Sequence, residues 1–127
     1  MITNEDVGLA MTKYYDAFQN KDWDIFESAL DDSFSYYTDD CIVMQKPYFV
    51  DFLKKNGWKG TGYHLTDLSI ITDNDLSVAK YKIAFEGSED GKKMTVFALE
   101  TTILRNSANG IRLLHTHSSN KVEIAAD

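Results

Sequence analysis

The sequence has almost no cysteine, little proline and no long apolar run. Its 127 residues include one cysteine, Cys41, and one proline, Pro47. A single cysteine cannot form an internal disulfide, which excludes a small disulfide-stabilised secreted domain. A hydrophobic fraction of 43%, with seven tyrosines and seven phenylalanines, excludes a proline-rich disordered chain. No apolar run reaches the about 18 residues that a membrane-spanning helix requires.

Basic residues are outnumbered by acidic ones. Thirteen lysines and arginines against twenty aspartates and glutamates give a formal net charge of −7, which disfavours nucleic acid or an anionic membrane as the main partner. The first ten residues, MITNEDVGLA, lack the basic segment and apolar core of a secretory signal. We therefore expect a soluble cytoplasmic protein that forms one domain over residues 1–127, with no nucleic-acid or membrane partner.

The first part of the chain has the periodicity of an amphipathic helix. Apolar and aromatic residues recur there at spacings of three and four, which places them on one helix face. They are Val7, Met11, Tyr14, Tyr15 and Phe18. Thr3 and Asp6 form a variant of the capping box, so this helix is predicted to begin after Thr3 and to end at Asn20.

Two shorter helices are predicted to follow. The first begins at Asp22 and ends at residues 31–33, whose polar side chains compete for backbone hydrogen bonds. Its buried residues are Trp23, Phe26, Ala29 and Leu30. The second has Pro47 in its first turn, where the missing N–H is not needed, and ends at Gly57. Its apolar face carries Tyr48, Phe49, Phe52 and Leu53.

The remaining segments favour strands. Residues 34–40 and 41–46 are predicted as two short strands, and from Gly62 onward the apolar residues recur with a period of two. Four longer strands are predicted at 63–72, 76–86, 93–105 and 111–119. Short turns separate them, so successive strands are expected to pair antiparallel. The predicted fold is α+β, with three N-terminal helices on one face of a curved, mainly antiparallel sheet.

The longest predicted strand is apolar on both faces. One face carries Met94, Val96, Ala98 and Leu104, and the other carries Phe97, Leu99 and Ile103. A sheet that is covered on one side only alternates cleanly between apolar and polar residues. Either local packing or a second subunit therefore covers the outer face. Because twofold symmetry is common among oligomers, we expect a homodimer, or a higher oligomer, that associates through this face.

Three stretches of the chain resemble one protein superfamily. They are residues 12–37 (TKYYDAFQNKDWDIFESALDDSFSYY), the helix after Lys46 and Pro47, and residues 98–120 (ALETTILRNSANGIRLLHTHSSN). They resemble the nuclear-transport-factor-2-like superfamily, which includes SnoaL-like proteins and ketosteroid isomerases. The last stretch looks most like the association domain of calcium/calmodulin-dependent protein kinases, whose final strand often has the His-x-His-x-Ser pattern seen at residues 115–119. The resemblance implies a cone-shaped fold that encloses a pocket.

The resemblance also implies which residues line that pocket. Tyr14 falls where ketosteroid isomerases place a phenol that donates to an oxyanion, and Thr38 falls where they place the general-base aspartate. Threonine cannot act as that base, and Asp39 points to the opposite face unless a bulge intervenes. The pocket arginines of the association domains correspond here to Thr102 and Ser118, so their anion-binding pocket is not retained.

The candidate pocket-lining residues are therefore Tyr14, Thr38, Asp39, Thr102 and Ser118. The resemblance to ketosteroid isomerases would instead place Thr101 on the inner face. We prefer Thr102, because the association domains have a hairpin of the same length as this chain. No catalytic residue is assigned, and neither a cofactor nor a metal is expected.

The two histidines of the final strand, His115 and His117, share one strand face. They could hold zinc or iron with His64 as a third ligand, but no cysteine or carboxylate stands at a telling spacing. If Leu114, Thr116 and Ser118 face the pocket, both histidines lie on the outer face. We therefore interpret them as structural or interfacial residues.

Other reactive side chains also have simpler interpretations. Cys41 has no neighbouring base in the sequence and is expected to be a small buried hydrophobe rather than a nucleophile. The acid cluster lacks the glycine turn and distal glutamate of a calcium loop, so it is interpreted as capping and turn residues. Its members are Asp31, Asp32, Asp39 and Asp40.

Two functions are consistent with these observations. The first is a SnoaL-like pocket protein that binds a small, largely apolar molecule, or transforms it as a cofactor-independent isomerase, cyclase or hydrolase. The second is a non-enzymatic association module with a vestigial pocket. We favour the first, and a cone filled entirely by aromatic rings would exclude it. Whether the protein is an enzyme is left open.

Overall fold

The computed structural model describes residues 2–126 and consists of helices packed on one six-stranded sheet. The elements are α1 (Asn4–Gln19), α2 (Trp23–Ser28), β1 (Leu30–Thr38), β2 (Val43–Gln45), α3 (Lys46–Lys55), β3 (Trp58–Asp73), β4 (Leu76–Glu89), β5 (Lys92–Ser107) and β6 (Gly110–Ile124). The strand order is β2-β1-β6-β5-β4-β3, with β1 and β6 parallel and the other neighbours antiparallel. The predicted α+β fold with a mainly antiparallel sheet is confirmed.

The predicted helix starts are also confirmed. At the start of α1 the Asp6 amide donates to the Thr3 hydroxyl at 3.1 Å, and the Thr3 amide donates to the Asp6 carboxylate at 3.2 Å. This reciprocal capping box satisfies two amides that the helix cannot use internally. Asp22 caps α2 through one bond, in which its carboxylate accepts from the Ile25 amide, and Pro47 lies in the first turn of α3.

One predicted helix end was wrong. Helix α2 ends at Ser28, and residues 31–33 belong to β1 instead, because the Leu113 amide donates to the Ala29 carbonyl at 2.8 Å and draws the chain into the sheet. Helix α3 ends at Lys55 with Asn56 as its C-cap, so Gly57 directly follows the cap, where the stop was predicted. Asn56 becomes extended there, with φ −73° and ψ 158°, so no left-handed glycine is needed.

A bulge in β6 shifts which side chains face the helices. The β5–β6 register moves between Ile103 and Leu104, so that Leu104 pairs with Leu113 and Leu114 becomes the extra residue. Leu113 is 1% exposed, whereas Leu114 is only half-buried. The expectation that Leu114 faces inward was therefore wrong, although Thr116 is buried as expected.

The core lies between the helices and the inner face of the curved sheet, and it is rich in aromatic rings. Tyr14 stacks on Phe26 with ring centroids 4.8 Å apart, and Tyr36 stacks on Phe49 at 4.5 Å. These ring contacts pack α1 against α2 and β1 against α3. They thereby fix the position of the helices over the sheet. No helix within residues 2–126 is both long enough and apolar enough to cross a membrane.

The outer face of the sheet carries exposed apolar side chains. On β5, Phe97 is 41% exposed and Leu99 is 60% exposed, whereas Ala98 between them is buried. This alternation follows from the period of two along a strand. It leaves an apolar strip at the centre of a face that no helix covers within the described residues.

Candidate functional site

An acidic side chain lies in the core, on the inner face of β5. Four alternate residues of this strand are each at most 7% exposed: Ala98, Glu100, Thr102 and Leu104. Thr102 is fully buried, whereas Thr101 beside it is only half-buried. Because the helices cover the inner face, the Glu100 carboxyl is directed at α1 and away from water.

Tyrosine hydroxyls hold this carboxyl. Tyr15 of α1 donates to Glu100 Oε1, and Tyr81 of β4 donates to the same oxygen at 3.1 Å. The two phenol oxygens are 2.6 Å apart. Both tyrosines bond to Oε1, which leaves the second carboxyl oxygen, Oε2, available to another donor.

The hydrogen-bond network continues from this carboxyl into the sheet. The Tyr81 hydroxyl lies 2.8 Å from the Thr102 hydroxyl, which lies 2.9 Å from that of Thr116 on β6. Each of these polar atoms thereby has a partner in the core, as buried hydroxyls require. The network fixes the orientation of Tyr81 and, through it, the position of Glu100.

Burial controls the protonation of the site. It raises the pKa of the Glu100 carboxyl, and the hydrogen bonds from Tyr15 and Tyr81, with the nearby Ser118 hydroxyl, offset that rise only in part. Burial, followed by the nearby charge of Glu100, raises the pKa of Tyr14, Tyr15 and Tyr81 well above the ordinary value for tyrosine. The phenols therefore remain neutral donors, and Glu100 keeps its proton to a higher pH than an exposed glutamate does.

The aromatic rings leave a small cavity beside Glu100. Its volume is about 100 Å³, which is the volume that about three molecules occupy in liquid water. Six aromatic residues line it: Tyr14, Tyr15, Phe18, Tyr36, Phe49 and Phe85. Leu53, Val96, Glu100 and Asn120 complete the lining. The cone is thus largely filled, but it keeps room for a group of a few heavy atoms next to a carboxyl.

The structure separates the five predicted pocket residues into three groups. Tyr14 lines the cavity. Thr102 and Ser118 are fully buried on neighbouring strands but are not part of the cavity lining. Thr38 pairs with Ser118 at the end of β1, and Asp39 follows in the exposed turn.

The turn after β1 explains the position of Thr38 and Asp39. The Thr38 hydroxyl donates to the Asp40 carboxylate and accepts from the Ile42 amide at 3.0 Å. The side chain that was predicted to face a ligand is therefore engaged in closing the turn. Neither Thr38 nor Asp39 lines the cavity, because the chain reverses direction at this point.

Three residues that carry the site were not predicted from the sequence. Glu100, Tyr15 and Tyr81 form its polar centre. One signal was present. Glu100 and Thr102 are two residues apart on the same strand, so a strand that turns Thr102 inward also turns the Glu100 carboxyl inward. Burying a charged residue within ALETTIL (98–104) costs folding free energy unless neighbouring groups compensate the charge or the site uses it.

The histidines lie away from this cavity. His115 is half-buried on the outer face, with Nδ1 2.8 Å from the Ser35 hydroxyl, and His117 is exposed. Burial, together with the proximity of His117, lowers the pKa of His115. Within residues 2–126, no three His, Cys, Asp or Glu side chains are placed to hold a metal.

Cys41 differs from its expected environment. It is exposed in the β1–β2 turn, in a left-handed conformation with φ 68°. The expectation of a small buried hydrophobe was wrong, because the chain must reverse between two short strands at this position.

Comparison with known proteins places the chain in a family. The model of the SnoaL-like domain family matches residues 7–123, and the chain belongs to this family. The superfamily suggested by the sequence resemblance is confirmed. No curated protein sequence matches this chain.

Solved structures share the fold at low sequence identity. An NTF2-like protein of unknown function in nutrient uptake from Rhodospirillum rubrum is 20% identical with a TM-score of 0.81, covering 89% of this chain and 96% of that protein. The CaMKII hub of S. rosetta is 15% identical with a TM-score of 0.81, covering 95% and 99%. A ketosteroid isomerase-like protein from Erwinia carotovora atroseptica is 16% identical with a TM-score of 0.76, covering 93% and 98%. At this identity the similarity establishes the fold alone.

Proposed function

We propose that this SnoaL-like domain binds a small molecule in the cavity beside Glu100 and uses that carboxyl to exchange a proton with it. The observation that carries the proposal is a buried carboxyl group at the edge of an aromatic cavity, bonded through one oxygen to two tyrosines. A protein that needed only a stable core would gain more from an apolar side chain at this position.

The arrangement supports acid–base chemistry without a cofactor. A carboxyl whose pKa is raised by burial holds a proton that it can donate to a carbonyl or hydroxyl oxygen of a bound molecule. After the transfer, the hydroxyls of Tyr15 and Tyr81 stabilise the carboxylate that remains. The Tyr14 phenol, which stays neutral, provides a further donor on the cavity wall.

The size of the cavity limits the ligand. A volume of about 100 Å³ is smaller than the about 150 Å³ of an engineered cavity that accepts benzene. The reacting group is therefore compact.

Replacement of Tyr14 by phenylalanine tests the cavity as a binding site. With cyclopentanone as the probe, we expect Tyr14→Phe to weaken binding by about three- to tenfold, the contribution of one hydrogen bond. The Tyr14 hydroxyl is not among the hydrogen-bonded groups within residues 2–126, so the free energy of unfolding should change by less than about 0.5 kcal/mol. NMR titration measures the affinity, and chemical denaturation measures the stability.

Tyr48→Phe provides the matched control, since Tyr48 is 62% exposed on α3 and lies outside the cavity lining. It should leave the affinity for cyclopentanone unchanged. Equal affinities for the wild type and Tyr14→Phe, or no binding to the wild type at millimolar concentrations, would count against the proposal.

A second candidate function, self-association, is favoured by the outer face of the sheet. Phe97 and Leu99 form an apolar strip on it, and a groove of about 550 Å³ runs over the same strands. Lys82 on β4 and Lys121 on β6 flank the strip on opposite sides, and Glu86 lies at its end. Two copies related by a twofold axis can place the lysines of one against the acidic groups of the other.

The partner that we propose for this face is a second copy of the chain. A strip of mixed charge around an apolar centre is self-complementary, which suits an isologous interface. The similarity to a CaMKII hub agrees with assembly, and the two candidate functions are compatible because they use opposite faces of the sheet.

A further inference from the structure

We infer that the ligand of the cavity is a small organic cation, an ammonium group with short alkyl substituents, held by the aromatic rings and the Glu100 carboxylate. This inference rests on the proposed small-molecule function of the same cavity and names the chemical class of its ligand. With a cation bound Glu100 is a carboxylate, so in the proposed proton exchange it accepts a proton from the ligand rather than donating one.

Aromatic rings from four elements surround the cavity. Residues of α1, β1, α3 and β4 contribute them: Tyr14, Tyr15, Phe18, Tyr36, Phe49 and Phe85. A cation within about 6 Å of a ring centroid is attracted by the negative face of the ring, and several rings around one site form an aromatic cage. In a space of about 100 Å³ an occupant lies against several rings at once.

The charge of the site favours a cation over an anion. None of the described residues that line the cavity is lysine, arginine or histidine. None of the ion pairs formed within residues 2–126 includes Glu100. A buried carboxylate without a positive partner is unstable, and a bound ammonium group supplies the missing charge. An anionic ligand would find no positive side chain in the cavity lining to compensate its own buried charge.

The available volume agrees with an alkylammonium group. A quaternary ammonium head with three methyl groups has four heavy atoms, which matches a space of about three water molecules. Such a head cannot donate a hydrogen bond, so its recognition depends on the rings and on charge.

Binding of a cation should also release a proton. The positive charge favours the carboxylate form of Glu100 and lowers a pKa that burial raises in the free protein. The titratable groups that face Glu100 are Tyr14 and Tyr15 from α1, Tyr36 from β1 and Tyr81 from β4, and each has a raised pKa and stays neutral. The released proton therefore comes from Glu100, and binding tightens as the pH rises.

Choline and its uncharged isostere 3,3-dimethylbutan-1-ol provide the test, because carbon replaces nitrogen with little change in shape. We expect the wild-type protein to bind choline at least about tenfold more tightly than the alcohol. Glu100→Gln should weaken choline binding by about tenfold or more and leave the alcohol within about twofold. The matched control Glu123→Gln removes an exposed charge on β6 and should change neither affinity.

Isothermal titration calorimetry in two buffers of different ionisation enthalpy measures both the affinities and the proton released. Equal affinities of the wild type for choline and the alcohol would overturn the inference but leave a neutral-ligand pocket intact. Tight choline binding that Glu100→Gln does not affect would also overturn it. Failure of both probes to bind at millimolar concentrations would count against the cavity as a binding site altogether.

Discussion

Leu99→Asp is expected to convert the proposed dimer into a monomer, with a dissociation constant at least about a hundredfold higher. Leu99 is 60% exposed at the centre of the apolar strip on the outer face of β5. An aspartate there would have to lose its hydration in the interface without a compensating partner. In a twofold-symmetric interface the substitution occurs twice, so its cost is doubled.

Leu9→Asp is a close control for this change. Leu9 is 64% exposed, similar to Leu99, but it lies on α1 rather than on the outer face. Sedimentation velocity at micromolar concentration should show a dimer for the wild type and for Leu9→Asp and a monomer for Leu99→Asp. A monomeric wild type, or dissociation of both variants alike, would contradict the proposed interface.

The second large effect concerns stability, and Glu100→Gln is expected to raise it at neutral and alkaline pH. The folded-state pKa of Glu100 is above its ordinary value of 4.5 because the side chain is buried. The stabilisation by the protonated form is therefore complete below pH 4.5 and is lost as the pH rises through the raised pKa. Glutamine has no such titration and keeps an oxygen that Tyr15 and Tyr81 can donate to.

The difference in unfolding free energy between Glu100→Gln and the wild type should thus be small below about pH 4 and grow as the pH increases. It should level off at about 1.4 kcal/mol for each unit by which folding raises the pKa of Glu100. Urea denaturation of both proteins across this pH range measures it. The exposed variant Glu123→Gln should show no comparable trend, and a difference that shrinks with rising pH would show that Glu100 is stabilised as a carboxylate instead.

The sequence predicted most of the scaffold, because local chemistry determines it. The Thr3–Asp6 capping box, the Asp22 cap and Pro47 each fix a helix start through residues three or fewer positions apart. The alternation in β5 likewise determined which residues share a face. These signals do not depend on how distant segments meet.

Local signals of this kind could not predict the polar centre of the site. Tyr15 and Tyr81 are 66 residues apart, and Tyr15 and Glu100 are 85 apart. Their meeting depends on the strand order and on the packing of α1 over β4 and β5. Adjacent tyrosines in α1 also look alike in sequence. Both line the cavity, and nothing local indicates that Tyr15 rather than Tyr14 bonds to the carboxyl.

The errors in the sequence predictions have a common physical cause. Leu114 was displaced by a bulge, and residues 31–33 were drawn into β1 by pairing with β6. In both cases a contact between distant strands overrode a local preference. Cys41 is exposed for a similar reason, since the pairing of β1 with β2 requires a tight turn at that position.

Electron density in the cavity of wild-type crystals soaked with cyclopentanone would decide whether the site binds small molecules. We expect density for the probe in the space between Tyr14, Tyr36 and Glu100, with its oxygen within hydrogen-bond distance of the Glu100 carboxyl or the Tyr14 hydroxyl. A space closed by a rotated Tyr14 or Phe49 ring, with no density for the probe, would contradict the proposed function.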